Sequence, residues 1–477
     1  MLAACALLWS TTLPGTLMAQ QRRGSVAATK TRDDATAGRD DALALLREAA
    51  GLLQAGRLTE AEALIRRALV SSPSNADAHN LLGVILDQRG QMQAAEGEYR
   101  EALRLNPRAI SARANLGVLL ARTKRSREAI QIFEAVLRDV PDHPQAMFNL
   151  GVQYAASGDY QRAAALFERL DRARPPAYEV RYNLGMTLYH LKRFDEATAA
   201  LESAAALAPA EPGPLYYLGL IAAARDQDEE AVGFWQRALA LRADFAEANF
   251  MIGEQLRKHR RYEGAAEFYA LALKQDASRL VYYVRLGGMY MLLVRFDDAL
   301  EVFKRAAARF PQAAEAYYFV GIAARGKADY DAAEQAFRKS IELQPSNADA
   351  LAQLGYIIGE RGAYAEAEQL LRRAIALGEN HFYAHYDLGR QLVKLRRYDE
   401  AITILQKGAL LCATNAGVHY QLFMAYTRLK RQPEAEREAA LFKSLEAERK
   451  QRRSSDDDTC QPNPESTPVE NLSPQTP

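Results

Sequence analysis

From Ala42 to Arg449 the chain returns to the same pattern every 34 residues, without insertion or deletion. Twelve copies begin at Ala42, Ala76, Ile110, Pro144, Tyr178, Pro212, Ala246, Leu280, Ala314, Ala348, Phe382 and Ala416. Position 20 of the repeat is Ala in all twelve, from Ala61 to Ala435. Position 8 is Gly in ten, with Ala49 and Phe423 as the exceptions at the two ends. Position 32 is Pro in seven, among them Pro73, Pro107, Pro141 and Pro345. A fixed period of this length means supersecondary units stacked on one another. A chain of 477 residues would ordinarily split into several cores. An array escapes that limit, because each unit needs only its neighbours.

Within one repeat the apolar spacing is helical. Successive helix residues turn by about 100°, so positions 4, 7, 8 and 11 share one side. In the second repeat these are His79, Leu82, Gly83 and Leu86; in the fourth, Met147, Leu150, Gly151 and Tyr154. Positions 20, 24, 27 and 28 share one side of a second helix, as do Ala95, Tyr99, Ala102 and Leu103. Between the two lies a turn such as Gln88-Arg89-Gly90-Gln91. Proline at 32 ends the second helix, because it lacks an N–H and disfavours helical geometry in the residue before it. Gly at 8 and Ala at 20 let the two helix backbones approach closely.

This pattern resembles the tetratricopeptide repeat family, whose motif has small residues at 8 and 20, an aromatic near 24 and Pro at 32. Position 24 here holds Tyr99, Phe133, Phe167, Trp235, Tyr269, Phe303 and Phe337. It holds Ile65, Leu201, Leu371, Leu405 and Ala439 in the other repeats. The family's Trp at position 4 is absent. Pro at 32 gives way to Ala243, Ala277, Glu379, Ala413 and Ala447, which predicts less sharply ended helices there. The resemblance implies an all-α fold, an α-solenoid of about twelve helix pairs in a right-handed superhelix, with first helices lining the concave face. The charge-rich segment PEAEREAALFKSLEAERK suits a solvent-facing cap at the carboxy-terminal end.

Outside the array the composition changes. Residues 1–19 form an apolar run ending in Leu17-Met18-Ala19, which resembles a secretory leader, although no Lys or Arg precedes Arg22. Pro14-Gly15 and Ser10-Thr11-Thr12 leave it too short for a membrane span. Export to the periplasm or medium is the expectation, with a cytoplasmic location as the alternative. Residues 20–41 read as a flexible linker. Residues 450–477, with five Pro, bury too little to offset their ordering entropy and read as a disordered tail. The three cysteines, Cys5, Cys412 and Cys460, have no metal-ligand spacing and make no disulfide scaffold.

A net charge of +1, from 61 basic and 60 acidic residues, offers no basic excess for nucleic acid. No phosphate loop, CxxC pair or G-x-S-x-G elbow is present, and no segment outside the repeats is long enough for a catalytic domain. No cofactor is expected. Positions 2, 5, 6, 9 and 13 lie away from the core side of the first helix and are read as lining a groove. Position 5 is aromatic in seven repeats: Phe148, Tyr182, Tyr216, Phe250, Tyr318, Tyr386 and Tyr420. Position 6 is Asn in three consecutive ones: Asn115, Asn149 and Asn183. An amide both donates and accepts, so it grips an extended peptide backbone whatever the sequence, and aromatics add contact area at small entropic cost. The equal alternative is structural: position 5 packs between repeats and the amides are solvated. The Asn run also resembles the asparagine ladder in the repeats of protein O-linked N-acetylglucosamine transferases, without their chemistry.

The reading is a non-catalytic scaffold that binds an extended segment of a partner protein. An assembly platform working through the convex face or by self-association is a further possibility. The runner-up is an envelope enzyme or metal-binding accessory protein using His381, His385 and His419. His381 and His385 are four apart, but Phe382 stands where the HExxH motif needs Glu.

Overall fold

The computed structural model of the protein describes residues 31–451. The stretch read as a leader (1–19), residues 20–30 of the stretch read as a linker, and all beyond Gln451 of the stretch read as a tail lie outside the described residues. Among the described residues there are twenty-four α-helices and no strand. They divide into two compact halves, the first ending at Leu241 and the second beginning at Arg242.

The amino-terminal half holds α1 (Thr31–Gln54), α2 (Leu58–Ser71), α3 (Ala76–Gln88), α4 (Met92–Leu105), α5 (Ile110–Arg122) and α6 (Ser126–Asp139). It continues with α7 (Pro144–Ala156), α8 (Tyr160–Ala173), α9 (Tyr178–His190), α10 (Phe194–Leu207), α11 (Gly213–Ala224) and α12 (Asp228–Leu241). The carboxy-terminal half holds α13 (Ala246–Lys258), α14 (Tyr262–Gln275), α15 (Leu280–Leu292), α16 (Phe296–Arg309), α17 (Ala314–Gly326) and α18 (Tyr330–Leu343). Its remaining helices are α19 (Ala348–Glu360), α20 (Tyr364–Leu377), α21 (Phe382–Lys394), α22 (Tyr398–Leu411), α23 (Ala416–Arg428) and α24 (Gln432–Gln451). Odd-numbered helices are the first of each repeat and even-numbered ones the second.

The repeat register sets these boundaries. From the second repeat on, first helices begin at position 1, except α11, which begins one residue later; second helices begin at position 17. Two boundaries differ from expectation. The helix α1 begins at Thr31, inside the stretch read as a linker. Residues 31–41 contain no proline and include Ala35 and Ala37, so nothing in them stops a helix. Second helices also end at position 30 whether or not Pro follows: α12, α14, α20 and α22 stop as sharply as α4. The helix α24, which no repeat follows among the described residues, instead runs for 20 residues. Docking of the next helix pair, more than proline, therefore fixes where a second helix ends.

All twelve turns share one device. Position 15 has positive φ in every repeat: Gly56, Gly90, Gly158 and Gly362, and the non-glycines Lys124, Lys192, Asp226, Arg260, Val294, Ala328, Arg396 and Lys430. The following N–H then reaches back five residues, as Gln91 N does to Leu86 O at 2.9 Å and Arg295 N to Tyr290 O at 2.8 Å. This left-handed cap satisfies carbonyls that the helix end leaves orphaned.

The small residues have distinct roles. Alanine at position 20 is buried in all twelve repeats. In α12, Ala231 is buried while Ala240 is exposed, as the register requires. Glycine at position 8 makes room for the side chain at 24. A Cβ on Gly83 would sit 2.6 Å from Tyr99 Cε1, and one on Gly219 would sit 2.4 Å from Trp235 Nε1. On Gly185 it would lie 2.5 Å from Leu201 Cγ and 3.2 Å from the Ala197 carbonyl. A methyl group there costs about 1–3 kcal/mol in overpacking. Trp235 brings a polar atom into this contact and satisfies it by donating to Tyr216 O at 3.1 Å.

Within each half, successive first helices touch one another (α3 with α5, α7 with α9, α15 with α17, α19 with α21), while second helices make no comparable contact. Rods that crowd on one side and spread on the other curve toward the crowded side. The first helices therefore line the inner face of each half. Cys412 is buried and disulfide-bonded.

Candidate functional site: the first-helix faces

In the amino-terminal half the inner face is apolar with a row of amides. Position 9 supplies Val84, Val118, Val152, Met186 and Leu220, and position 6 supplies Asn115, Asn149 and Asn183. Asn115 is half-buried and donates to Asn80 Oδ1 at 3.0 Å. Asn149 and Asn183 are buried, and each turns its Nδ2 back onto its own helix. Asn149 donates to Gln145 O at 2.8 Å and Asn183 to Glu179 O at 2.7 Å. Among the described residues the Oδ1 of both has no hydrogen-bond partner, which leaves an acceptor for a peptide N–H. The ion pair Asp87–Arg122, at 2.6 Å between α3 and α5, is the charged contact beside this row.

The position-5 aromatics sit deeper than a groove lining alone would require. Phe148 is buried against the Phe167 ring at 5.9 Å. Phe250 packs 5.4 Å from Tyr269 and 5.0 Å from Tyr282. Tyr318 lies 5.9 Å from Phe337. Tyr182 and Tyr386 reach across to the next first helix, where a Cβ on Gly213 or Gly417 would strike them. Tyr216 lies 5.5 Å from Tyr217. Tyr420, in the last repeat, is 39% exposed and packs 5.3 Å from Phe442. Position 5 thus occupies the joint between the ring at 24 and the following repeat, with an edge toward the inner face.

In the carboxy-terminal half, charge replaces the amide row. Arg285 at position 6 is 5% exposed and donates to Glu254 Oε1 at 2.8 Å. Glu254 also takes Arg257 at 3.1 Å and the hydroxyl of Tyr269. Burial holds the Glu315 carboxyl above its usual range, with the Arg285 cation opposing it. On α21, Asp387 is 7% exposed, and burial pushes its carboxyl up to about 6 against the pull of Arg390 and Arg325. The Arg390 guanidinium lies 3.0 Å from Glu360 and 3.3 Å from Asp387. Its carbon stands 5.2 Å from the centre of the Tyr356 ring. Arg325 donates to Gln353. The sequence reading passed over this cluster. Its signal was present as charged residues at positions 6, 9, 12 and 13 of adjacent first helices, but a repeat pattern does not reveal which of them meet.

The three histidines have other duties. His381 caps α21, its Nδ1 accepting from Ala384 N at 3.1 Å. His385 is buried with Nδ1 3.0 Å from His381 O. His419 pairs with Glu438 at 2.6 Å and with Ala413 O at 2.9 Å, and the carboxylate holds its imidazolium above the ordinary pKa. Among the described residues no group of three or more His, Cys, Asp or Glu is placed to hold a metal, and no helix is long and apolar enough to cross a membrane.

Comparison with known proteins agrees with the architecture. Tetratricopeptide repeat models match residues 46–110, 89–144, 114–178 and 294–348, and a second such model matches 154–224. The model of anaphase-promoting complex, cyclosome, subunit 3 matches 326–408. No curated protein sequence matches. Among solved structures the chain is similar to yeast Tom70, at 17% identity over 87% of this chain and 97% of that one, with a TM-score of 0.36. It is similar to the Cut9–Hcn1 hetero-tetramer of the APC/C at 13% identity, over 87% and 96%, with a TM-score of 0.42. A third is the C-terminal part of a TPR repeat-containing protein from Cytophaga hutchinsonii, at 17% identity over 50% and 99%, TM-score 0.44. The repeats and the family models that match them give a scaffold fold typical of protein–protein interaction, and the chain belongs to the tetratricopeptide repeat family.

Proposed function

We propose that the protein is a non-catalytic scaffold whose first-helix faces hold an extended segment of a partner protein. The observation that carries this reading is the amide row: Asn149 and Asn183 are buried, their donors are spent on their own helices, and their Oδ1 atoms are unpartnered. The same run of first helices carries Val118, Val152 and Met186 at position 9. An extended chain offers N–H groups on one edge and alternate side chains to such apolar positions. The apolar stretch 1–19 supports export as the setting in which the partner is met.

Affinity capture from the native host tests the reading, comparing the intact protein with an Asn149→Ala/Asn183→Ala variant and with Tyr182→Ala/Tyr216→Ala. Melting curves establish that each variant is folded. The expected outcome is a partner retained by the intact protein and lost from the amide variant. A partner retained equally by both variants sinks the groove reading in favour of the outer face or self-association.

A further inference from the structure

Histidine stands at position 4 of the repeat three times, as His79, His385 and His419, and glutamate stands at position 23 twice, as Glu98 and Glu438. Both glutamates fall in a repeat that has the histidine, the second and the twelfth. In each, the imidazole bridges two elements. His79 lies between α4 and the α2–α3 corner, its Nδ1 donating to Glu98 Oε2 at 2.6 Å and its Nε2 to the Pro73 carbonyl at 3.1 Å. His419 lies between α24 and the α22–α23 corner, donating to Glu438 Oε2 at 2.6 Å and to the Ala413 carbonyl at 2.9 Å. A carboxylate and a carbonyl only accept, so a neutral imidazole, with one N–H, satisfies one of the two. The imidazolium satisfies both. His385 gives the contrast: its repeat has Ile404 at position 23, its Nδ1 meets the His381 carbonyl, and burial holds it below the ordinary imidazole range. The two bridged corners are the first and last joints between described repeats, where a terminal repeat has a neighbour on one side only.

We propose that His79 and His419 staple the two terminal joints, and that loss of the His419 proton releases its staple, which makes the twelfth repeat a pH-sensitive end of the array. Glu438 on α24 is the charged group that bears on His419, and the α22–α23 corner offers it a neutral carbonyl. Cys412, at the same corner, is disulfide-bonded and does not titrate. At the other joint, Glu98 and Glu101 on α4 face His79. Pairing with Glu438 raises the His419 pKa above its ordinary value of 6.5, against the pull of burial. The bound proton therefore stabilises the joint fully below that value, and the stabilisation is lost as pH rises through the folded-state value.

Amide hydrogen exchange of the full chain, followed from pH 5.5 to pH 9 with times scaled for the intrinsic rate, reads each helix separately. Protection in α23 is expected to fall about tenfold over that range. Protection in α5, which has Arg113 at position 4, should change little. Glu438→Gln keeps the shape of the partner and removes its charge, so the fall should move to lower pH. His419→Gln should leave α23 at the low protection throughout. His79→Gln is expected to lower protection in α3 about tenfold at pH 6. Protection in α23 that is indifferent to pH, a fall that persists in His419→Gln, or a fall that Glu438→Gln leaves at the same pH overturns the pH-sensitive end. If His419→Gln does not fold, the position of the fall in Glu438→Gln decides alone. An α3 unchanged by His79→Gln overturns the staple at the first joint.

Discussion

Position 9 along the first helices reads Ala50, Val84, Val118, Val152, Met186, Leu220 in the amino-terminal half, and Glu254, Gly288, Ile322, Tyr356, Arg390, Met424 in the carboxy-terminal half. Both halves are built on the same 34-residue frame, with the same alanine at 20, the same turn at 15 and the same helix boundaries. What differs is how the inner face handles polarity. The first half carries neutral amides, of which Asn149 and Asn183 satisfy their donors within one helix and Asn115 on the neighbouring first helix. The second carries buried charges that must find partners on neighbouring helices, as Arg285 finds Glu254 and Arg390 finds Glu360. A repeat can therefore change its inner-face chemistry without disturbing its frame, because positions 6 and 9 lie off the surfaces where 8, 20 and 24 interlock.

Removing a buried ion partner gives the largest expected effect on this contrast. Arg285→Ala strips Glu254 of a 5%-exposed cation and should cost about 2–4 kcal/mol in urea denaturation. Asn149→Ala, at the same repeat position in the first half, should cost about 1 kcal/mol. Equal losses would mean that the charge cluster is no more demanding than the amide row, and the distinction between halves would collapse.

A pH effect of the second half's position 6 comes next. Position 6 carries no carboxyl in repeats 2–6, whereas Asp387 occupies it in repeat 11. Asp387 has its folded-state pKa raised to about 6 by burial, with Arg390, Arg325 and His381 pulling it down and Glu360 pushing it up. The native state thus binds this proton more tightly than the unfolded chain. Stability from this group rises as pH falls through about 6 and levels off below the unfolded value, near 4. Asp387→Asn is expected to be more stable than the parent by up to about 2 kcal/mol at pH 8, with the gain vanishing at pH 4. Urea midpoints at pH 8, 6 and 4 measure it. A variant less stable than the parent at pH 8 would show that pairing with Arg390 outweighs the burial of the carboxylate.

The smallest effect concerns the turns. Three of the four glycines at position 15 are in the first half, while the second half places Val294 there at φ 59°. A β-branched residue in left-handed geometry is strained, and Val294 is 68% exposed, so its side chain loses little packing on removal. Val294→Gly should gain about 0.5–1 kcal/mol after the entropy cost of glycine. A melting temperature unchanged or lowered would show that the second half tolerates the strain without cost.

Much of this was legible in the residues. The period placed the helix pairs, the alanine at 20 marked the tightest approach, and the spacing of 4, 7, 8 and 11 found the core side of the first helix. Less legible was position 3: Ala78, Ala112, Ala146 and Val180 are also buried, because a first helix is packed by the preceding repeat as well as by its own partner. The left-handed turn was visible only where glycine marks it, as at Gly90, and silent at Lys124 or Val294. The position-5 aromatics read as a groove stripe by spacing, yet Phe148 and Phe250 spend most of their surface on the ring at 24 or the next repeat.

The sequence by itself determined the repeating unit, its helix pair and the faces each residue would share, because periodicity is a local property that helix geometry converts directly into direction. Only the tertiary structure decided which side chains on adjacent repeats meet, where α12 and α22 stop without proline, and that Arg390 lies between Glu360 and Asp387. Those outcomes depend on ångström-scale distances between helices some 30 residues apart in the chain, and neither the spacing nor the identity of residues within one repeat encodes them.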